Sequence, residues 1–254
     1  IYFPKKDIVT YDYVAESKDL PYSRIEALNK INSKRNYILV TTIEAAMQKL
    51  PAKQLLYKNT LKFKVGEIHS LDKIKQNLVN LGYTRCDLIE GRGQFSLRGG
   101  ILDISINDAI GVRVEFWGDE IDSIRNFNII SQRSINTLEK VEIEPAHEYI
   151  LEKPIEEICK KVRKTIANDI SKIDQYFDCF YDKQETIIDY LNTNSIITFD
   201  EIRKIEQRAQ NIIKDNEQLI KNLIEKGKVV PQAISNIQTF SSIENNTKES
   251  KKTI

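Results

Sequence analysis

Arg98, Arg113 and Trp117 are the side chains whose type and spacing best fit recognition of another macromolecule. In the run Val112-Arg113-Val114-Glu115-Phe116-Trp117, period-two alternation sends Val112, Val114 and Phe116 to one face and Arg113, Glu115 and Trp117 to the other. In the run before it, Phe95 and Leu97 take the inward role and Ser96 and Arg98 face out. A guanidinium fork pairs with carboxylates in two directions, and an indole covers a large rigid area at small entropic cost, so such a patch is a candidate docking surface. Spacing alone leaves a second reading open. In it, Trp117 packs under a loop and the arginines make ordinary surface ion pairs worth about 0 to 1 kcal/mol each.

Chemistry of other kinds has less to work with. Asp200-Glu201 follows Ile196-Ile197-Thr198-Phe199 and has the form of a Walker B ending, in which a carboxylate at a strand's edge holds Mg²⁺. The partner element, a G-x-x-x-x-G-K-[ST] phosphate loop, does not occur here and could precede Ile1 in a longer chain. Gly91-Arg92-Gly93 precedes a strand where a phosphate cradle precedes a helix, and reads as a turn. Lys58, Lys62 and Lys64 alternate with Leu61, Phe63 and Val65, the pattern of a solvated strand face with no stacked aromatics for nucleic acid. His69, His147, Cys86, Cys159 and Cys179 share neither zinc-ligand spacing nor a nucleophile and base context, so no metal and no catalysis are expected.

Length and balance agree with a folded, soluble protein. The 254 residues, 41% apolar and 30% charged, suffice for one large core or two modest ones, and the net charge of +1 demands neither nucleic acid nor an anionic membrane. No apolar run approaches the roughly 18 residues of a membrane span, and Ile1-Tyr2-Phe3-Pro4 has no signal-peptide core. A cytoplasmic protein with reduced thiols is the expectation, and the start without Met reads as an excerpt of a longer chain.

The elements that must hold these residues follow from periodicity. Ile25, Leu28 and Ile31 predict a helix over 22–32, and Tyr37 to Thr42 is a β-rich apolar run that reads as part of an α/β layer with parallel strands. Thr41-x-x-Glu44 predicts a capping box for a helix through Leu50, which Pro51 ends. Ser70 is placed to cap a helix with Leu71, Ile74, Leu78 and Leu81 inside and Gly82 at its end. Six of the nine glycines lie between Thr84 and Ile130 amid alternating runs, the pattern of a small antiparallel β module. From Pro154, Ile155, Ile158, Val162, Ile166, Ile170 and Ile173 predict a long helix. A short helix over 187–191, a buried strand over 195–199, a long helix from Glu201 to Lys226 and a frayed polar end after Phe240 complete the reading.

Three stretches carry a family resemblance. They are Gly82-Tyr83-x-Arg85-x-Asp87, then Gly93-x-Phe95-x-x-Arg98-Gly99-Gly100-Ile101-Leu102-Asp103-Ile104, then Arg113-Val114-Glu115-Phe116-Trp117-x-Asp119-Glu120-Ile121-Asp122-Ser123-Ile124-Arg125 with Gln132-Arg133-Ser134. Together they resemble the second domain of the transcription-repair coupling factors, which UvrB shares. Tyr2-Phe3-Pro4, Arg24, Val40 to Ala45 and Asp189-Tyr190-Leu191 with Asp200-Glu201 are similar to the flanking first domain. The resemblance implies a helicase-like, degenerate RecA-type α/β domain over 1–60 and 149–240, interrupted by a β-rich α+β domain over 61–148, with a polar tail over 241–254. It implies that Arg98, Arg113 and Trp117 match the family's UvrA-contacting positions, where the aromatic is usually Phe. It also implies a degenerate nucleotide site, in which Asp200 and Glu201 are structural and Asp200 caps the next helix. It further implies a non-catalytic module of an ATP-dependent DNA translocase whose other domains use ATP and Mg²⁺ and meet RNA polymerase and DNA. A C-terminal domain of that protein would be able to mask the face. The alternatives are a piece of the UvrB damage-loading helicase, and a clamp that binds only within its own chain.

Overall fold

In a computed structural model the chain forms two units, one from Ile1–Gln54 with Leu151–Ile254 and the other from Leu55–Ile150. The residues described are 1–6, 19–33, 36–150, 180–227, 237–250 and 252–253. The helix expected from Pro154 lies outside them.

In the first unit β1 (Tyr2–Phe3) runs parallel to β2 (Val40–Thr41), so the parallel pairing is present, but the paired strand is two residues long and Val40 is exposed. Between them, α1 (Asp19–Ser33) buries Ile25, Leu28 and Ile31 as their spacing predicts. Arg24 on the same helix is also buried. Its Nη1 donates to the Pro4 carbonyl (2.7 Å) and to Gln48 Oε1 (2.8 Å), and its guanidinium lies over the Phe3 ring. In α2 (Ile43–Met47) the cap is Thr42, one residue later than expected, with Ala45 N donating to its Oγ1 at 3.3 Å. Thr41 is already engaged, its Oγ1 donating to the Phe3 carbonyl at 2.8 Å. Pro51 does more than stop a helix, because it lies in β3 (Leu50–Pro51) ahead of α3 (Lys53–Lys58).

The second unit opens with β4 (Leu61–Lys64), whose Phe63 is buried while Lys62 and Lys64 stay in solvent. The following helix, α4 (Leu71–Asn80), buries Ile74 and Leu78, and Leu81 just beyond it. Ser70 stands at the cap position, yet its side chain makes no capping bond; the carbonyl alone receives the Ile74 N–H. Gly82 (φ +88°) ends the helix in the left-handed region, and a Cβ there would fall 2.0 Å from the His147 ring. The main sheet comprises β5 (Thr84–Arg85), β6 (Gln94–Arg98), β7 (Ile101–Ser105), β8 (Ile110–Trp117), β9 (Glu120–Asn128) and β10 (Ser134–Leu138), in spatial order β10-β9-β8-β7-β6-β5. Every pairing is antiparallel except β5 with β6. Phe95, Leu102, Ile104, Val112, Val114, Phe116, Ile121 and Ile124 form its buried inner face. β11 (Lys140–Ile143) closes the unit against β4.

The chain then returns to the first unit. β12 (Gln184–Glu185) pairs with β3, and α5 (Ile187–Tyr190) starts where Thr186 N donates to Asp189 Oδ2 at 2.7 Å. The strand expected over 195–199 is only β13 (Ile196–Ile197), and Ile196 is exposed. Next come α6 (Ile202–Glu225), terminated at Gly227 (φ +65°), then α7 (Phe240–Ser250) and β14 (Lys252–Thr253), the last parallel to β13. The described residues after Phe240 therefore form a helix and a short strand in place of the expected frayed end. Their composition is polar, but α7 buries Ile243 and Thr247 one turn apart, enough to seat it. Among the described residues the architecture is mixed helix and sheet, with one sheet of more than two strands.

Candidate functional site

The outer face of the six-stranded sheet falls into a covered half and an open half. Register alone puts Ser96, Asp103, Arg113 and Arg125 in one row across β6 to β9, and Arg98, Ile101, Glu115 and Ser123 in the next. Toward Gly111 the face is roofed by the segment after β5, where Ile89 packs on Phe127 and Ile129 with Cys86 against them. Burial, and then the neighbouring carboxylates of Asp87 and Glu90, push the Cys86 thiol pKa up. The same roof accounts for one departure from the alternation. Ser96 points outward but is buried, its Oγ donating to the Asp87 carbonyl at 2.7 Å.

The open half begins at Asp103. Its carboxylate is 1% exposed and accepts Arg113 Nε at 2.7 Å and Nη2 at 2.9 Å, a two-pronged pair, and Arg98 Nη2 at 3.2 Å. Arg113 is held from two further sides, by Gln132 Oε1 accepting from Nη2 at 3.2 Å and by the Phe127 ring 4.6 Å beneath its guanidinium. Hydrogen bonding to Asp103 raises the Arg113 pKa above its ordinary value, so its charge is fixed. Arg98 is different: its side chain is 51% exposed and its bond to Asp103 is the longest of the three. Two guanidinium groups on one carboxylate leave a surplus positive charge beside solvent.

Trp117 lies on the same face of β8 as Arg113, two outward positions beyond it, and is 85% exposed. A bulge on β9 at Asp122 brings the buried Ile121 opposite Phe116 on the inner face and Glu120 opposite Trp117 on the outer one. On the β7 side of the indole the chain turns through Gly99 and Gly100, and a Cβ at Gly100 would sit 2.6 Å from the Phe116 carbonyl oxygen. A side chain is absent there because the backbones approach too closely for one. Between the arginines and the indole, Glu115 is ion-paired with Arg125 and accepts the Ser123 hydroxyl.

The structure thus brings Arg98 and Arg113 together on one carboxylate and sets Trp117 on the same face. Sequence reasoning missed Asp103 and Gln132 as partners. For Asp103 the signal was present, an acid at an outward position inside the apolar run Gly100-Ile101-Leu102-Asp103-Ile104. For Gln132 it was not, because its left-handed backbone (φ +58°), which turns the amide toward Arg113, is set by the loop around it.

Asp200 and Glu201 lie in the other unit. Both are exposed and sit beyond the end of β13; the cap residue of α6 is Glu201, in left-handed conformation without a side-chain capping bond, so Asp200 does not cap that helix. Glu201 is paired with Lys204 at 2.7 Å. Both carboxylates stand in solvent. Among the described residues no helix is long and apolar enough to cross a membrane.

Residues 61–149 match the family model described as the UvrB interaction domain, nearly the whole of the second unit. Over 95% of its length the chain is 28% identical to a transcription-repair-coupling factor of Staphylococcus epidermidis, and over 90% it is 28% identical to that of Bacillus subtilis. It spans 23% and 22% of those proteins, less than a quarter of either. The chain is thus similar along almost its entire length to one part of the transcription-repair-coupling factors, and its six-stranded sheet with Arg98, Arg113 and Trp117 lies in the stretch that matches the UvrB interaction domain.

Proposed function

We propose that the second unit recruits UvrA, and that the chain is a non-catalytic, UvrB-like adaptor module of a transcription-repair coupling protein. The observation that carries this reading is the open half of the sheet. An 85% exposed indole shares a face with two arginines organised by a buried carboxylate, inside a domain whose family is described by an interaction. Arg98 is the group that meets a carboxylate of UvrA, since its side chain is half exposed while that of Arg113 is largely covered. Trp117 supplies rigid apolar area, and Arg113 with Asp103 fixes the charge in place.

In this reading the first unit is a helicase-like, degenerate RecA-type layer that does not use nucleotide. RNA polymerase, DNA, ATP and Mg²⁺ belong to other domains of a longer translocase, where a C-terminal domain is able to cover the same face. The parallel β1 and β2 pair supports the α/β part of that assignment.

Titration of the chain with purified UvrA tests the proposal. Saturable binding that Trp117→Ala and Arg98→Ala each weaken by about 1 kcal/mol or more supports it. A folded wild-type chain that does not bind UvrA refutes it.

A further inference from the structure

Trp117 belongs to one more row of the sheet, to whose other members, Glu120 and Ile68, sequence reasoning assigns no role. Trp117 is the direct partner of Glu120 across the β8 and β9 hairpin, and Ile68 bridges Glu120 from the other side. Ile121 N donates to the Glu67 carbonyl at 2.9 Å and His69 N to the Asp119 carbonyl at 2.8 Å. These two bonds flank the Ile68 and Glu120 pair without belonging to it. That makes it a narrow, non-hydrogen-bonded antiparallel pair, the kind in which side chains stand closest together on one face. Trp117, Glu120 and Ile68 therefore project side by side, with the outer two about 10 Å apart at the usual strand spacing.

All three are exposed, Trp117 by 85% and Ile68 by 76%. Among the described residues none pairs with the Glu120 carboxylate, which stands between two apolar side chains with Asp119 and Asp122 exposed nearby. A row of apolar, acid, apolar groups matches one kind of side chain closely. A lysine or arginine stem packs along aliphatic and aromatic surface, while its head meets a carboxylate and the face of an indole.

We infer that this row is a socket for a basic side chain of the partner, seated between Trp117 and Ile68 with its charge on Glu120. The inference rests on the docking face proposed above, with which the row is continuous through Trp117. It gives that face a charge order: an acid of the partner at Arg98, apolar contact at Trp117, and a base at Glu120. Reversed placement of the partner would set like charges against each other at both ends.

The test is titration of the full chain with purified UvrA, comparing wild type with Glu120→Lys, Ile68→Ser and Trp117→Ala after confirming that melting temperatures agree. The inference expects Glu120→Lys to weaken binding about tenfold or more and Ile68→Ser about threefold or more. Unchanged or tighter binding by Glu120→Lys, or unchanged binding by Ile68→Ser, overturns the socket; if Trp117→Ala still weakens binding in that experiment, the docking face itself stands. No binding by wild type removes both.

Discussion

Arg113 grips Asp103 through Nε and Nη2 at 2.7 and 2.9 Å, and the carboxylate it grips is 1% exposed. A buried anion is tolerable only while paired, so this contact belongs as much to stability as to binding. Arg113→Ala leaves Asp103 with Arg98 alone, which is half in solvent. We expect it to lower unfolding free energy by roughly 2 to 3 kcal/mol, the range of hydrogen bonds to charged groups. Asp103→Asn should cost a similar amount, and the double variant distinctly less than the two together. Urea unfolding of the three variants checks this, and strictly additive losses would show that the pair is not coupled.

Trp117 makes the opposite prediction. Being 85% exposed, its indole contributes little to the fold, and Trp117→Ala should leave stability within about 0.5 kcal/mol of wild type. Its thermal melt should overlay that of the parent chain. Any loss of UvrA binding by this variant is then a loss of contact, whereas a loss by Arg113→Ala mixes contact with unfolding. A melt lowered by several degrees would place Trp117 in a packing role instead.

Gly111 is confined by the roof over the covered half of the face. A Cβ there would lie 2.6 Å from Phe127 Cε1, 2.7 Å from its Cζ and 3.0 Å from Ile89 Cδ1, all ends of side chains already buried. Gly111→Ala should destabilise by about 1 to 3 kcal/mol through overpacking. Phe127→Leu in the same background should recover part of that loss by vacating the ring position, and denaturant midpoints of the single and double variants would show whether it does.

Much of this arrangement was legible in the sequence because it follows from period two. Val112, Val114 and Phe116 went inward and Arg113 and Trp117 outward as alternation requires, α1 buried the residues its spacing selected, and of the four selected around α4, Ile74, Leu78 and Leu81 are buried and Leu71 half-buried. The failures share a cause. Ser96 faces outward as read, but a loop covers it, and nothing in the alternation of β6 reports a roof contributed by residues 86–92. Thr42 and not Thr41 caps α2 because the Phe3 carbonyl, 38 residues earlier, claims the first hydroxyl. The brevity and exposure of β13 are likewise set by its partner β14, far along the chain. Local patterns fix which way a side chain points; what meets it there depends on tertiary contacts.

Glu144 supplies a prediction with a pH sign. Burial, and then repulsion from the Glu142 carboxylate, raise its pKa above the ordinary glutamate value of about 4.3. The folded chain therefore holds this proton more tightly than the unfolded chain does. Its contribution to stability is fully present below the ordinary carboxylate range and is lost as pH rises through the raised value, so at neutral pH the ionised side chain opposes folding. Glu144→Gln removes the charge and keeps the shape. It should be more stable than wild type at pH 7, and the gap should close as pH falls to about 4, where both side chains are largely uncharged in the folded state. The backbone carbonyl of residue 144, which accepts the Tyr83 hydroxyl at 2.9 Å, is unaffected by the change. Urea unfolding of both proteins at pH 7 and pH 4 decides the matter: equal stability at pH 7 would mean that water or a counter-charge reaches the carboxylate, and a gap that widens toward pH 4 would reverse the assigned sign.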